Sequence, residues 1–359
     1  MFTRQITRVA LTGLALAVLL GVFAPGCGDD KQQAKPQQTE PPVDPRLVGL
    51  RFTDDELPRL DSSTSARPLI IWIASHLTGR ECLWSPIPKM MFVRRSQIFP
   101  VALRPDVTAG MYDEASRSES PFKGMANLTD TDFLGTLSLH GTHGSYVQLI
   151  EDKADLIIVA REPSKDELTL AKEKNVELDV RAVALDAFVF LRNVENTVTD
   201  LTAEQIRDIF RGNITNWKDL DGPDQDIKAF TRNRNSGSQE TMVSLVMKGE
   251  ATIEGRNMMS ASMAGPYNSL GSNATGIGYT FYYYNAFISP NEAIKTFAVN
   301  GVAPTSKTIA DGRYPFVTEV YVVTRKALDP DSNAALLRDW LGTPEGQAVV
   351  AESSYVPLP

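Results

Sequence analysis

The sequence has few of the residues that build metal centres, disulfide frameworks or nucleic-acid surfaces. Its 359 residues include two cysteines and three histidines, and no run of basic residues interrupts the net charge of −8. This negative balance argues against nucleic acid as a partner. It also means that any bound anion must be held by local hydrogen-bond donors, because the overall field repels it.

The histidines form no pattern that predicts metal binding or catalysis. His140 and His143 lie in one loop with two residues between them, but no third ligand accompanies them in the sequence. His76 falls in an apolar segment that predicts a packed helix. A serine nucleophile would need a base and an orienting acid, and the sequence shows no such arrangement. We therefore expect no metal, no cofactor and no catalysis.

The N-terminus has the pattern of an export signal. A basic segment, MFTRQITR, precedes the apolar run VALTGLALAVLLGVF, which is too short for a membrane-spanning helix of the mature protein. The run ends in APGC, which resembles a bacterial lipoprotein processing site and predicts a signal peptide over residues 1–26 and lipidation of Cys27. The alternative is a plain secretory signal with an incidental cysteine. Residues 27–57, rich in Gln, Pro and Asp, are predicted to form a disordered tether.

Both versions of the signal place the mature protein outside the cytoplasm, facing the periplasm or the cell exterior. If Cys27 carries lipid, Cys82 has no partner for a disulfide within the chain, so the core must be stabilised by burial alone. Cys82 is expected to be a small buried residue. The length predicts two domains, and the 42% hydrophobic and 22% charged residues are typical of a globular protein.

Beyond the tether, apolar runs alternate between strand and helix patterns. VRAVALDAFVFLRN predicts a buried strand, because β-branched and aromatic residues form a continuous run. Further strands are predicted in TLSL, ADLIIVA, DIKAFTR, GIGYTFYYY and YPFVTEVYVVTRK, and helices in SYVQLIED, SKDELTLAKEK and NAALLRDWLGTPEGQAVVAE. The alternation predicts an α/β fold with mostly parallel sheets. Prolines interrupt the pattern between residues 80 and 130, where FPVAL indicates a short strand.

Three loops rich in small polar residues each precede a predicted helix. They cover residues 61–65, 141–145 and 232–238. An ordinary N-cap explains any one of them, since Ser236 with Gln239 fits a capping box. Three together favour an anion site, because such loops gather at the carboxyl ends of the strands in an open α/β sheet. Unpaired N–H groups and the positive ends of helix dipoles would then face one ligand.

Several segments match the pattern of one protein family. They are DAFVFLRNVENTVTDLTAEQIRDIFRGNITNWKDLDGPDQDIKAFTRNRNSGSQETM, DSSTSARPL, GSYVQLIEDKADLIIVA, ATGIGYTFYYY and SSYVPLP. Together they resemble the phosphate-binding proteins that feed ABC importers. The resemblance implies a two-lobed periplasmic-binding-protein-like fold, in which each lobe is a mostly parallel sheet flanked by helices and crossing strands join the lobes. Lobe I would comprise residues 58–184 and 313–359, and lobe II residues 185–312.

The resemblance also implies which residues hold the ligand. It places Thr64 and Ser65 in the first phosphate-contacting loop, and Thr142 at the start of the second helix. The third loop would contribute Arg232, Ser236, Gly237 and Ser238. Hydroxyl, backbone N–H and guanidinium donors can satisfy phosphate oxygens without a metal.

One position departs from the family pattern. Phosphate carries a proton at neutral pH, and some members of the family place a carboxylate where it accepts that proton and disfavours sulfate. The matching position falls at Ala160 or Arg161, with Glu162 one step away. Glu162 is the expected acceptor, although an exposed loop carboxylate would give the same sequence pattern. Arg161 fits either an additional cation or a solvent-facing side chain.

The combined pattern predicts a lipid-anchored solute-binding protein that captures inorganic phosphate and delivers it to an ABC permease. It is expected to act as a monomer. One alternative is a binding protein for another oxyanion, such as sulfate, molybdate or tungstate, and another is a phosphate sensor. A phosphatase or hydrolase that uses Ser236 or Ser238 fits the sequence less well.

Overall fold

The computed structural model describes residues 44–84, 100–116, 128–250, 252, 258–260 and 262–359. The predicted signal peptide, Cys27 and the first part of the predicted tether lie outside these residues. Among the residues that are described, no helix is both long enough and apolar enough to cross a membrane.

Short strands and helices follow one another along the chain. Strands β1 to β13 cover Leu60–Ser62, Cys82–Trp84, Pro100–Ala102, Ser138–Leu139, Leu156–Val159, Leu178–Asn193, Asp200–Leu201, Lys228–Arg232, Met258–Ser260, Gly276–Phe281, Ile294–Thr296, Ala298–Val299 and Val317–Arg325. Helices α1 to α11 cover Arg67–Leu77, Ala109–Ser116, Thr131–Thr136, Gly141–Ile150, Lys165–Glu173, Ala203–Arg211, Gly237–Thr241, Gly265–Leu270, Ser306–Ala310, Asn333–Trp340 and Pro344–Glu352. Met242–Val246, directly after α7, and Tyr284–Ile288 are π-helical.

The main sheet is mixed. Its strand order is β4-β1-β5-β13-β6-β10-β8-β9, and β11 also pairs with β6. Strand β1 is parallel to β4 and β5, and β8 is parallel to β9 and β10. The antiparallel pairs of this sheet all involve β6 or β13. The α/β fold class predicted from the sequence is confirmed.

Strand β6 connects the two parallel parts of the sheet. Its residues 178–187 pair with β13, whereas residues 188–193 pair with β10 and β11. The central residues are buried, and Phe188 and Phe190 pack edge to face with their ring centroids 5.9 Å apart. The continuous apolar run predicted this burial, because a strand covered on both faces needs no alternation of polar residues.

The last part of the predicted tether, residues 44–57, is ordered and packs against the core. Within residues 44–57, Leu47, Leu50 and Phe52 are buried in the main hydrophobic cluster. The backbone N–H of Phe52 donates to the carbonyl of Leu77 at the end of α1, at 2.8 Å. Three apolar side chains within six residues bury enough surface to offset the entropy lost on ordering the segment.

Two element boundaries also differ from the predictions. Helix α4 begins at Gly141, so GTHG forms its first turn instead of a loop before it. The strand predicted in GIGYTFYYY ends at Phe281. The ring of Tyr283 leaves the sheet and stacks on Tyr355, with 3.7 Å between the centroids. Packing against the C-terminal segment therefore ends this strand earlier than its β-propensity indicates.

Asp186 is buried where β6 passes from β13 to β10. Its Oδ1 accepts hydrogen bonds from the N–H groups of Ala187 at 2.7 Å and Tyr283 at 3.0 Å. Its Oδ2 is buried without a hydrogen-bond partner among the described residues. Burial raises the pKa of Asp186 from 3.8 to about 7, and the two N–H donors counter this only in part. Below about pH 7, the folded protein therefore holds this carboxyl in its protonated form.

We predict that Asp186→Asn removes a pH dependence of stability. Because the folded-state pKa is raised, the stabilising contribution is fully present below the unfolded pKa of 3.8 and is lost as the pH rises through about 7. Relative to the variant, the wild type should lose roughly 4 kcal/mol at most over that window. Urea unfolding at a series of pH values measures the difference. A difference that does not change with pH would contradict the raised pKa.

Candidate functional site

A cavity of about 350 Å³ collects the three predicted loops. It is lined by Ser63, Thr64, Ser65, His140, Gly141, Thr142, His143, Gly144, Arg232, Asn233, Asn235, Ser236, Gly237, Ser238, Met263 and Phe281. The predicted ligand residues are all among them except Glu162. The sequence rule that polar loops gather at the ends of parallel strands therefore located the cavity correctly.

The first loop links β1 to α1. The backbone N–H of Ser63 donates to the carbonyl of Ile158 on β5 at 3.0 Å, which extends the sheet pairing into the loop. The carbonyl of Ser65 accepts a hydrogen bond from the Tyr355 hydroxyl at 2.8 Å. Thr64 is partly buried between these two anchored positions. The loop is thus held by contacts at both ends, and its hydroxyls line the cavity.

The second loop is the first turn of α4. His140 occupies the N-cap position, and Gly141 adopts a φ of 72° that favours glycine. Thr142 is buried at the cavity wall. The first N–H groups of a helix have no acceptor within the helix, and the helix dipole places positive charge at this end. The start of α4 therefore supplies hydrogen-bond donors to the cavity.

The third loop joins β8 to α7 and carries the guanidinium. Ser236 is the N-cap residue of α7, and its Oγ accepts a hydrogen bond from the N–H of Gln239 at 3.1 Å. Arg232 Nη1 donates to Ser238 Oγ at 3.3 Å, and the Arg232 N–H donates to the Tyr279 hydroxyl at 3.0 Å. The N-cap role predicted for Ser236 is therefore confirmed, and Ser236 also lines the cavity; its contact with an anion stays a prediction.

The starts of α4 and α7 approach each other closely. A Cβ atom added to Gly237 would lie 3.1 Å from Thr142 Cβ and closer still to Thr142 Oγ1. Only a glycine at this position lets the two helices come together without displacing the threonine. The two donor groups consequently share one small space, although about ninety residues separate them in the sequence.

The cavity is rich in donors, and no carboxylate stands among its described lining residues. Arg232 is 8% exposed, and burial lowers the pKa of its guanidinium. The arrangement therefore fits a small anion that can accept several hydrogen bonds at once.

Glu162 does not take part in this cavity. It is exposed and lines a second cavity with Ser164, Glu240 and Tyr321. Arg161 does not line the cavity of the three loops; it lines the second cavity beside Glu162, and it is 7% exposed. Its guanidinium is buried and donates to both oxygens of Glu167, each at 2.8 Å. The role of proton acceptor predicted for Glu162 has no support in its position, because Glu162 lines the second cavity and not the cavity of the three loops.

Several residues that line the cavity are not among the predicted ligand residues. Asn233 and Asn235 lie between predicted ligand residues, so their position in the third loop was the available signal. Met263 and Phe281 had no local signal, because their contact with the site depends on the tertiary fold. His140 and His143, for which the sequence predicts neither metal binding nor catalysis, also line the cavity. Among the described residues, no group of three or more His, Cys, Asp or Glu side chains could hold a metal ion.

Comparisons with known proteins show which family the chain is similar to. The family model of the PBP superfamily domain matches residues 136–342. The phosphate-binding protein PstS of Staphylococcus saprophyticus is 28% identical over 193 residues, which make up 52% of this chain and 59% of that protein. The PstS protein of Borreliella burgdorferi is 25% identical over 56% of this chain and 71% of that protein. The match thus spans about three fifths of the first relative's length.

A solved structure shows the same fold. An ABC-type phosphate transport receptor from Vibrio cholerae superposes with a TM-score of 0.50 at 22% identity, covering 62% of this chain and 87% of that chain. At this identity the similarity establishes the fold alone. Together with the sequence matches, it confirms the resemblance to the phosphate-binding proteins of ABC importers that the motifs predicted.

We predict that Glu167→Gln destabilises the fold, whereas Glu162→Gln does not. Burial raises the pKa of Glu167, but the hydrogen bonds and charge of Arg161 outweigh it, so the pKa lies below its usual value. Removing the Glu167 charge leaves Arg161 buried beside a neutral amide, which should cost about 3 kcal/mol of unfolding free energy. Glu162 is the matched control, because it is a nearby exposed glutamate. Equal stability of the two variants in urea unfolding would refute the structural role of Glu167.

Proposed function

Because the chain belongs to the PBP superfamily, we propose that it is a solute-binding protein that captures inorganic phosphate in the cavity between α4 and α7. The observation that carries this proposal is the meeting of three separate donor loops around one small space. The relatives named PstS are phosphate-binding proteins, which supports phosphate as the anion.

The chemistry of the lining suits a phosphate ion. Its four oxygens can accept many hydrogen bonds, and the cavity offers hydroxyls, helix-start N–H groups and the Arg232 guanidinium. Arg232, Ser236 and Ser238 are held by the protein's own hydrogen bonds, so little of their side-chain entropy would be lost on binding. A negatively charged protein can hold an anion this way because the donors act over short distances while the long-range field is screened by salt.

The cellular role follows as a further part of the proposal. The N-terminal pattern supports export, lipidation of Cys27 and attachment to a membrane surface. A relative described as a receptor for ABC-type phosphate transport supports delivery to an ABC permease. We propose that residues 58–184 and 313–359 form one lobe and residues 185–312 the other, and that closure around β6 and β13 signals the bound state.

The contacts of the site serines disfavour hydrolysis. Ser236 Oγ accepts the N-cap hydrogen bond from Gln239, and Ser238 Oγ accepts one from Arg232. Within the described part of the chain, neither hydroxyl has a hydrogen bond to a histidine or to another general base. A serine nucleophile needs such a base to take its proton. The site is therefore built to bind an anion, not to transfer a group.

We predict that Arg232→Ala weakens phosphate binding by on the order of 100-fold. The substitution removes a buried, charge-assisted donor, whose contribution is about 1.5–3 kcal/mol. Isothermal titration calorimetry of the exported protein with inorganic phosphate measures the change. Arg234→Ala is the matched control, because Arg234 lies in the same loop, is exposed and does not line the cavity.

The outcomes separate the possible failures. Binding by the wild type and by Arg234→Ala, with loss in Arg232→Ala, supports the assignment. Equal affinity of all three proteins would mean that Arg232 does not contact the ligand. No binding by the wild type would refute phosphate as the ligand.

A further inference from the structure

We propose that His140 and His143 recognise the proton of the bound anion, so that the cavity prefers a protonated oxyanion to a fully ionised one. This inference rests on the proposed function and adds the residues that determine specificity. It starts from a chemical requirement. Hydrogenphosphate presents one P–OH group, which needs an acceptor, whereas sulfate presents only acceptor oxygens.

His140 is anchored by a fully buried carboxylate. Its Nδ1 lies 2.5 Å from Oδ2 of Asp61, which is 0% exposed on β1. Asp61 Oδ1 accepts hydrogen bonds from the N–H of His140 at 3.2 Å and from the Ser145 hydroxyl at 2.9 Å. The carboxylate is therefore fixed from several sides, and it fixes the orientation of the imidazole.

His143 has the same arrangement with a different carboxylate. Its Nδ1 lies 3.0 Å from Oε1 of Glu167, which is also 0% exposed. Glu167 is itself held by Arg161 and by the N–H of Ser164 at 2.8 Å. The two histidines thus stand within the first turn of α4, each held through Nδ1, and each lines the cavity.

The carboxylates determine which nitrogen can accept a proton. A carboxylate only accepts hydrogen bonds, so Nδ1 of each imidazole must be the donor. In the neutral ring, Nε2 then carries the lone pair. The side chains are 48% and 37% exposed, and neither Nε2 has a hydrogen bond to any residue that the structure describes. Both acceptor atoms are therefore available to a ligand.

Other groups of the cavity fit this role less well. Asn233 and Asn235 carry amide oxygens, but no hydrogen bond to a described residue orients either side chain, whereas each imidazole is held by a buried carboxylate. Arg232 and the helix-start N–H groups can only donate. Each imidazole is held through Nδ1 by a buried carboxylate, which leaves the lone pair on Nε2. Both histidines lie beside Thr142 at the start of α4. The two histidines thus take the role of proton acceptor that the sequence predicts for Glu162.

The test compares phosphate with sulfate. Calorimetric titrations with each anion are run on the wild type, His140→Asn, His143→Asn and the double variant, at mildly alkaline pH where ordinary imidazoles are neutral. The amide nitrogen of Asn can still donate to Asp61 or Glu167, but nothing replaces Nε2. We expect phosphate affinity to fall by about tenfold or more in the double variant, while sulfate affinity changes by less than about threefold.

Two further variants serve as controls. His76→Asn alters the remaining histidine, which contacts Glu345 outside the cavity, and should leave both affinities unchanged. His140→Gln places an amide oxygen near the position of Nε2 and should retain more of the preference for phosphate than His140→Asn. This substitution also separates ligand contact from folding, because it gives up the Asp61 contact instead.

The result that overturns the inference differs from the one that overturns the proposed function. The inference is wrong if the wild type binds phosphate but the double variant loses affinity for phosphate and sulfate equally, or loses affinity for neither. In that case the histidines do not recognise the proton of the anion. If the wild type binds no phosphate at all, the proposed function fails, and this inference fails with it.

Discussion

The site depends on β6 being part of both halves of the main sheet. Its first residues pair with β13 and its last with β10 and β11, so a single strand sets the position of the loops on either side. A shift of register by one residue would turn its side chains to the opposite face and displace the loops that follow its neighbours. The contact of Gly237 with Thr142 shows how little displacement the site allows. The burial of Phe188 and Phe190 therefore supports the binding geometry as well as the fold.

The cavity that this geometry forms contains many hydrogen-bond donors and, among its described lining residues, no carboxylate. Helix starts and a buried guanidinium are polar groups that water would otherwise solvate, and removing them from water costs free energy unless an acceptor replaces it. Arg232 shows this cost in its lowered pKa. An anion that fills the space between α4 and α7 compensates all these groups together. The same donors would gain less from a neutral ligand, and for this reason we propose an anion as the ligand.

Local patterns predicted the elements, and one topological rule predicted the site. The N-cap at Ser236 follows from residue type and spacing, and the meeting of the loops follows from the rule for parallel strands. Long-range packing decided the rest. Residues 44–57 are ordered because Leu47, Leu50 and Phe52 pack into the main hydrophobic cluster. The start of α5 agrees with the helix predicted in SKDELTLAKEK. The choice between two nearby glutamates depended instead on which carboxylate the buried guanidinium of Arg161 contacts, and no local pattern shows this.

His143 links the buried ion pair of Arg161 and Glu167 to the cavity. A guanidinium at position 161 cannot accept the ligand's proton, and it draws Glu167 into the interior, where the pair is neutral as a whole. Glu167 then holds His143 through Nδ1, while Asp61 holds His140 in the same way. Placing the carboxylates behind the imidazoles keeps negative charge away from an anionic ligand. An acceptor that is neutral when it functions avoids the repulsion that a carboxylate in direct contact with the anion would introduce.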